Sequence, residues 1–262
     1  MLNYQGLLAI IVSIILGCNQ TEQTTKPDDD VILSEDSSCI DWAEFTVNDL
    51  IISNNVWGKG TETNYEQCIY YKSNNTQTEI GWNWDWPGNG NVRAYPEIIF
   101  GLKPWSTEST SPSLPAQINS NSIILKFTGT ATAIGQWNLA YDIWLTNSKT
   151  PTAENVTHEI MIWMHRTNSI TPAGTYRETI TINGNNFALW VNENHNDSWT
   201  YIAFVTVTTK LSATLDLNAF IDYLITNSYV SPNLFISGIE FGTEIFEGKG
   251  NVVLSEYEVE VQ

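Results

Sequence analysis

The sequence predicts an all-β protein: two antiparallel sheets packed face to face, with one short α-helix against the outside of one sheet. Three observations carry that reading. Short runs rich in Val, Ile, Thr, Tyr, Phe and Trp recur between clusters of Asn, Gly, Ser and Pro. These runs do not alternate with helical segments, as a parallel βαβ sheet would require. A single segment departs from strand patterning and repeats its apolar residues at helical spacing. With 262 residues, 42% of them hydrophobic, the chain is long enough for one large sandwich core, and we expect one folded domain.

The elements follow in order. Residues 1–17 read as a signal peptide, because the apolar run 7–16 is too short to span a bilayer. Ile15-Leu16-Gly17-Cys18 resembles a bacterial lipobox, although Met1 to Gln5 lacks the usual basic residue. The reading taken is lipidation of Cys18; an ordinary cleaved signal and an uncleaved anchor are the alternatives. Residues 18–38 hold little to bury and read as a disordered tether. We therefore expect export, with a lipid anchor in a bacterial membrane as the only membrane contact, or secretion if Cys18 carries no lipid.

Residues 39–262 form the predicted domain. If Cys18 is lipidated, Cys39 and Cys68 remain to pair in an oxidising compartment, two buried free thiols being the alternative. Strands are predicted at 50–57, 67–72, 80–86, 122–127, 136–145, 159–164, 176–182, 187–191, 199–207, 234–241 and 252–261. Asn183-Gly184 between two of them signals a hairpin. Leu217, Phe220, Ile221, Leu224 and Ile225 share one helical face, with Asp216 as N-cap, over 217–226.

Charge narrows the function. Twenty-nine acidic against 11 basic residues leave a net −18, with no basic stripe for phosphates, so a nucleic-acid partner is excluded. The acidity itself reads as a solvated surface. Sparse carboxylates inside apolar strands are more informative, because burying an ionised group is costly unless it has a task.

Strand alternation assigns those carboxylates to faces. In the strand at 159–164, Glu159, Met161, Trp163 and His165 point one way, while Ile160, Ile162 and Met164 point to the core. Asp142 and Trp144 share a face opposite Tyr141, Ile143 and Leu145. Asp142 is expected to hydrogen-bond a neighbouring glutamate, or, alternatively, a backbone amide in a turn. Glu240, Gly242, Glu244 and Phe246 alternate onto one side, and Gly242 is expected to leave room for a ligand beside Glu244. Glu247, next to Gly248 and Lys249, reads as a solvated turn residue, and His158 as a buried, hydrogen-bonded one. Trp82, Trp84 and Trp86 share a face that is either a core stack or a sugar platform.

Five segments occur together in one order: Asn54-Asn55-Val56-Trp57-Gly58; Trp82-Asn83-Trp84 with Asn91-Val92-Arg93-Ala94-Tyr95-Pro96; Ala140-Tyr141-Asp142-Ile143-Trp144-Leu145; Glu159-Ile160-Met161-Ile162-Trp163-Met164; and Phe241-Gly242-Thr243-Glu244-Ile245-Phe246-Glu247-Gly248. In order and spacing they resemble glycoside hydrolase family 12, from Cys39 to the C-terminus. Ile245 stands where that family more often has Pro, and Met164 where it more often has Leu. The resemblance implies a β-jelly roll, a concanavalin-like sandwich of two curved sheets, that cleaves internal β-1,4 links of glucans with retention. It implies Glu159 as nucleophile, Glu244 as acid/base and Asp142 as the carboxyl supporting the nucleophile. It also implies Asn55 and Trp57 as a sugar contact and stacking platform, Met161 as a cleft residue, and a Cys39–Cys68 disulfide. Trp163, on the face of Glu159, joins the substrate-binding candidates.

A retaining mechanism requires the two carboxyl groups to lie ~5–5.5 Å apart and needs no metal or cofactor. The expected partner is cellulose, mixed-linkage glucan or xyloglucan, with the chain acting as a monomer. The segments at 80–87 and 93–96 look closer to bacterial members that accept xyloglucan. The alternative is a non-catalytic, lectin-like surface lipoprotein on the same sandwich.

Overall fold

A computed structural model describes residues 32–74 and 78–262. The strands are β1 (Ile32–Ser38), β2 (Glu44–Val47), β3 (Leu50–Ser53), β4 (Glu66–Asn74), β5 (Thr78–Trp86), β6 (Glu97–Gly101), β7 (Ala116–Gln117), β8 (Ile123–Thr146), β9 (Val156–Arg166), β10 (Thr175–Ile182), β11 (Asn185–His195), β12 (Trp199–Thr206), β13 (Ser212–Asp216), β14 (Phe235–Gly242) and β15 (Ile245–Val261). Among the described residues there is one α-helix, α1, which spans Leu217–Thr226.

Two sheets face each other. The outer one runs β1-β4-β5-β15-β8-β13, and the inner one runs β2-β3-β6-β14-β8-β9-β12-β11-β10, with β7 beside β14. Strand β8 belongs to both: Ile123 to Trp137 pair with β15, and Asn138 to Thr146 pair with β9. All pairings are antiparallel except β12 with β9, where Tyr201 lies beside Glu159. The outer sheet bends where Gly135 opposes Gly248, both at positive φ, and a Cβ on either would stand within 2.4 Å of a backbone oxygen across the pair. Asn183 and Gly184 also take positive φ, closing the β10–β11 turn between paired Ile182 and Asn185.

Alternation builds the core. Trp137, Leu139, Tyr141, Ile143 and Leu145 of β8 join Ile160, Ile162 and Met164 of β9 in the main apolar cluster. Trp82, Trp84 and Trp86 are buried there too, which resolves the open reading of that set toward a core stack. Trp82 donates its indole N–H to Thr243 and Trp86 to Gln67, so two of the three bury without losing a partner. Helix α1 starts at the predicted cap, with Asp216 accepting from the Asn218 amide. Its buried stripe meets Phe187 and Phe204 on the core side of the inner sheet.

Three sequence expectations need correction. The segments at 122–127 and 136–145 are one 24-residue strand, because Thr and Ala between them pair with β15 although they look like a linker. Residues 32–38 read as tether but pair with β4 as β1, so the ordered fold begins before Cys39. His165 leaves the face of Glu159: a bulge sets it opposite Leu139 instead of continuing the alternation, and its ring packs on Trp137 at 4.2 Å. Cys39 and Cys68 form the disulfide, tying the chain ahead of β2 to β4. The proposed signal peptide and Cys18 lie outside the described residues.

Candidate active site

The inner sheet's concave face gathers the carboxylates. Strand register places Glu240 of β14 beside Asp142 of β8, Asp142 beside Met161 of β9, and Met161 beside Ala203 of β12. One step along, Trp144 lies beside Glu159 and Glu159 beside Tyr201. Glu244 follows β14 and is locked to β8 at both ends of its neighbour Asn138. Its amide donates to Asn138 Oδ1 at 2.9 Å, and its carboxyl accepts from Asn138 Nδ2.

Glu159 accepts the indole N–H of Trp199 at 2.7 Å. Burial raises its pKa to about 8, against the pull of that donor and with a further rise from the charge of Glu244. Burial also raises Glu244 to about 7, opposed by the Asn138 donor. Both carboxyls are therefore held well above the usual carboxylate range, chiefly by burial. Trp199 is the contact that favours an ionised Glu159 beside a protonated Glu244.

Asp142 is close to both but is not bonded as expected. Burial, then the charge of Glu159, raises it well above the usual carboxylate range. No hydrogen bond joins Asp142 to Glu159 among the described residues; Asp142 Oδ1 has no partner. The reason is register: Asp142 stands opposite Met161, so Glu159 is its diagonal neighbour, and Trp199 takes the Glu159 oxygen.

The other predicted residues divide. Trp57 is 59% exposed and presents a free ring. Asn55 is buried, donates to Glu97 Oε1 at 2.7 Å and accepts the Trp57 amide at 3.0 Å, so it anchors the backbone that carries the Trp57 ring. Met161 and Trp163 line the cleft face, yet each is only 2% exposed, with the Met161 sulfur accepting from both Trp163 and Tyr201. They form the cleft floor, under Trp190 and Phe246. Gly242 does not leave room for a ligand: a Cβ there would meet Pro96 O at 2.4 Å and Tyr95 and Glu97 at 3.0 Å, so the glycine serves close packing of β6. His158 bonds Thr157 and the Tyr229 carbonyl, away from the cleft.

Sequence reasoning missed Asn138, Trp199, Tyr201 and the buried pair Glu97 and Lys103, which meets Glu240, a residue that alternation places on the face of Glu244. Asn138 shares the alternation of Asp142 and was legible in principle. Trp199 opens a strand after a turn, and nothing local in sequence points it at Glu159.

A two-sheet sandwich that holds two carboxyls, each raised by burial, on the aromatic-rich face of its inner sheet is the architecture of a glycoside hydrolase. The family model for glycosyl hydrolase family 12 matches residues 48–262, and the chain belongs to that family. It is 38% identical to Endoglucanase S of Pectobacterium parmentieri over 88% of this chain and 89% of that one. A xyloglucan-specific endo-β-1,4-glucanase A of Aspergillus niger is 30% identical, over 86% of this chain and 90% of its own. Among solved structures, a family 12 xyloglucanase from Bacillus licheniformis in complex with ligand superposes with a TM-score of 0.79 at 31% identity, over 87% of this chain and all of that one.

Proposed function

We propose that the chain is an endo-acting glycoside hydrolase that cleaves internal β-1,4-glucosidic bonds of glucans with retention. The observation that carries this is the pairing of Glu159 and Glu244 on one concave face, each raised by burial and Glu159 raised further by the charge of Glu244. Protonated Glu244 gives its proton to the departing glycosidic oxygen as Glu159 attacks the anomeric carbon, and the C–O bond breaks. Glu244, now ionised, takes a proton from water, and that water attacks the anomeric carbon on the face the leaving group left, opposite Glu159, so the glycosyl–Glu159 bond breaks with net retention. Trp57, anchored by Asn55, stacks a sugar ring on the minus side of the cut. Asp142 acts by its proximity to Glu159, restraining ionisation of the pair.

Xyloglucan and unbranched β-1,4-glucans are the candidate substrates, supported by relatives named for both activities. Product chromatography on xyloglucan, barley glucan, carboxymethylcellulose and xylan separates them. Glu159→Ala and Glu244→Ala should each abolish release of reducing sugar while polysaccharide retention on a gel persists. A wild-type chain that binds these polymers but cuts none would instead be a lectin.

The apolar run before Cys18 supports export as a lipid-anchored monomer, in which the folded domain reaches large soluble polymers from a membrane surface. Cys18→Ala should release the protein from the membrane fraction, and sedimentation should give one chain per particle.

A further inference from the structure

Among the described residues Lys103 is a buried cation beside the carboxylates of the inner sheet, and no step of the proposed reaction uses it. Lys103 lies just beyond β6, is 8% exposed, and reaches two carboxylates that are themselves buried. Its Nζ stands 2.6 Å from Glu97 Oε1 and 3.1 Å from Glu240 Oε2. Ion pairs this deep rarely add stability over apolar packing of the same volume, so their retention points to a requirement for geometry.

Each carboxylate begins a separate chain of contacts. Glu97 Oε1 also accepts from Asn55 Nδ2 at 2.7 Å, and Asn55 Oδ1 accepts the Trp57 amide, so this branch ends at the exposed ring of Trp57. Glu240 Oε1 accepts the Trp144 indole N–H at 3.1 Å. Trp144 then meets Trp199 edge to face with centroids 5.5 Å apart, and Trp199 holds Glu159. That branch ends at the reacting carboxyl.

We propose that Lys103, through Glu97 and Glu240, is a positioning residue that sets the sugar platform Trp57 and the nucleophile's holder Trp199 from one buried point. Charge and donor placement explain why a lysine serves. Two glutamates on neighbouring strands β6 and β14 would repel; a single ammonium between them fixes both oxygens at hydrogen-bond distance. Glu240 then offers Oε1 to Trp144 while Oε2 faces the ammonium, and Glu97 shares Oε1 between the ammonium and Asn55, its Oε2 being buried without a partner among the described residues. Trp105, two residues on and 50% exposed, packs edge to face on Trp144 at 4.7 Å, so the same short segment also buttresses the second branch from outside. A loose platform costs substrate affinity, and a misplaced nucleophile costs turnover. Lys103 therefore governs both.

The proposal rests on Glu159 acting as nucleophile, and a Glu159→Ala chain that still hydrolyses glucan would refute that reading separately. The test is a pair of double-mutant cycles measured as kcat and KM on the polymer the wild type cleaves. Lys103→Met is combined with Trp57→Ala in one cycle and with Trp199→Phe in the other. Each tryptophan substitution should lose at least about threefold of its effect when Lys103 is already gone, Trp57 mainly in KM and Trp199 mainly in kcat. Lys103→Arg should recover part of both losses. Effects that multiply independently in both cycles would overturn the proposal, because a residue needed only for folding would show no coupling to either branch. If Lys103→Met does not fold, Glu97→Gln replaces it in the Trp57 cycle and Glu240→Gln in the Trp199 cycle, with the same outcomes deciding.

Discussion

Trp199 donates its indole N–H to Glu159 Oε2 across 2.7 Å, from the strand that runs parallel to the one carrying Glu159. The bond opposes what burial does to this carboxyl, since a donor favours the ionised form and desolvation favours the neutral one. Trp199→Phe keeps most of the ring and removes the donor. Glu159 should then ionise at higher pH, and the acidic limb of the kcat/KM profile should move upward. Turnover at neutral pH should fall roughly 10- to 100-fold, the worth of a hydrogen bond to a charged group. An unmoved acidic limb in a pH–rate series would show that Trp199 does not tune Glu159, the proposed nucleophile.

Asn138 does the corresponding work for Glu244, and with the opposite consequence for the profile. Its Nδ2 donor lowers Glu244 against burial. In Asn138→Ala the acid should keep its proton to higher pH, so the basic limb of kcat/KM moves up. The maximum rate should drop, because both bonds that aim Glu244 are gone.

The carboxyl pair should also govern stability. In the unfolded chain both glutamates ionise near the ordinary value for the residue, whereas in the folded chain they hold protons until about 7 and 8. Between those limits the folded state binds more protons than the unfolded, so stability is greatest below the unfolded value and declines as pH rises through the folded ones. Thermal melts should show Tm falling from pH 5 to pH 8. Glu159→Gln and Glu244→Gln should each flatten that fall, and an equally steep decline in both variants would contradict the burial argument.

The Cys39–Cys68 bridge closes a span of 29 residues. Its removal in the paired Cys39→Ala, Cys68→Ala variant should cost about 3 kcal/mol by loop entropy. Urea unfolding, compared with the oxidised wild type, measures that difference directly.

Much of the fold was readable because strand alternation is strict wherever one face is buried. Helix α1 was placed residue for residue by its apolar spacing and by Asp216. Glu159, Met161 and Trp163 fell on the correct face for the same reason. Alternation failed where the backbone departs from it: the bulge before His165 turned that ring toward Trp137, and no local pattern marks a bulge. Strand β6 was missed between Pro96 and Gly101 because Glu97 looks too polar for a buried strand, and its partners explain it: Lys103 six residues on and Asn55 from far earlier in the chain. Local sequence likewise gives Gly242 two meanings, and the approach of Tyr95 selects the packing one.

Strand β8 carries Asn138, Asp142 and Trp144 on the same stretch of backbone that earlier pairs with β15 in the outer sheet. The cleft is thus indexed by a ruler whose far end lies in the other layer. A single-residue insertion or deletion anywhere between Ile123 and Trp137 that the outer sheet failed to absorb would invert the strand. The three polar side chains would enter the core, and Leu139, Tyr141 and Ile143 would face the sugar. Hydrolytic activity therefore reports the register of the outer sheet as well as that of the inner one.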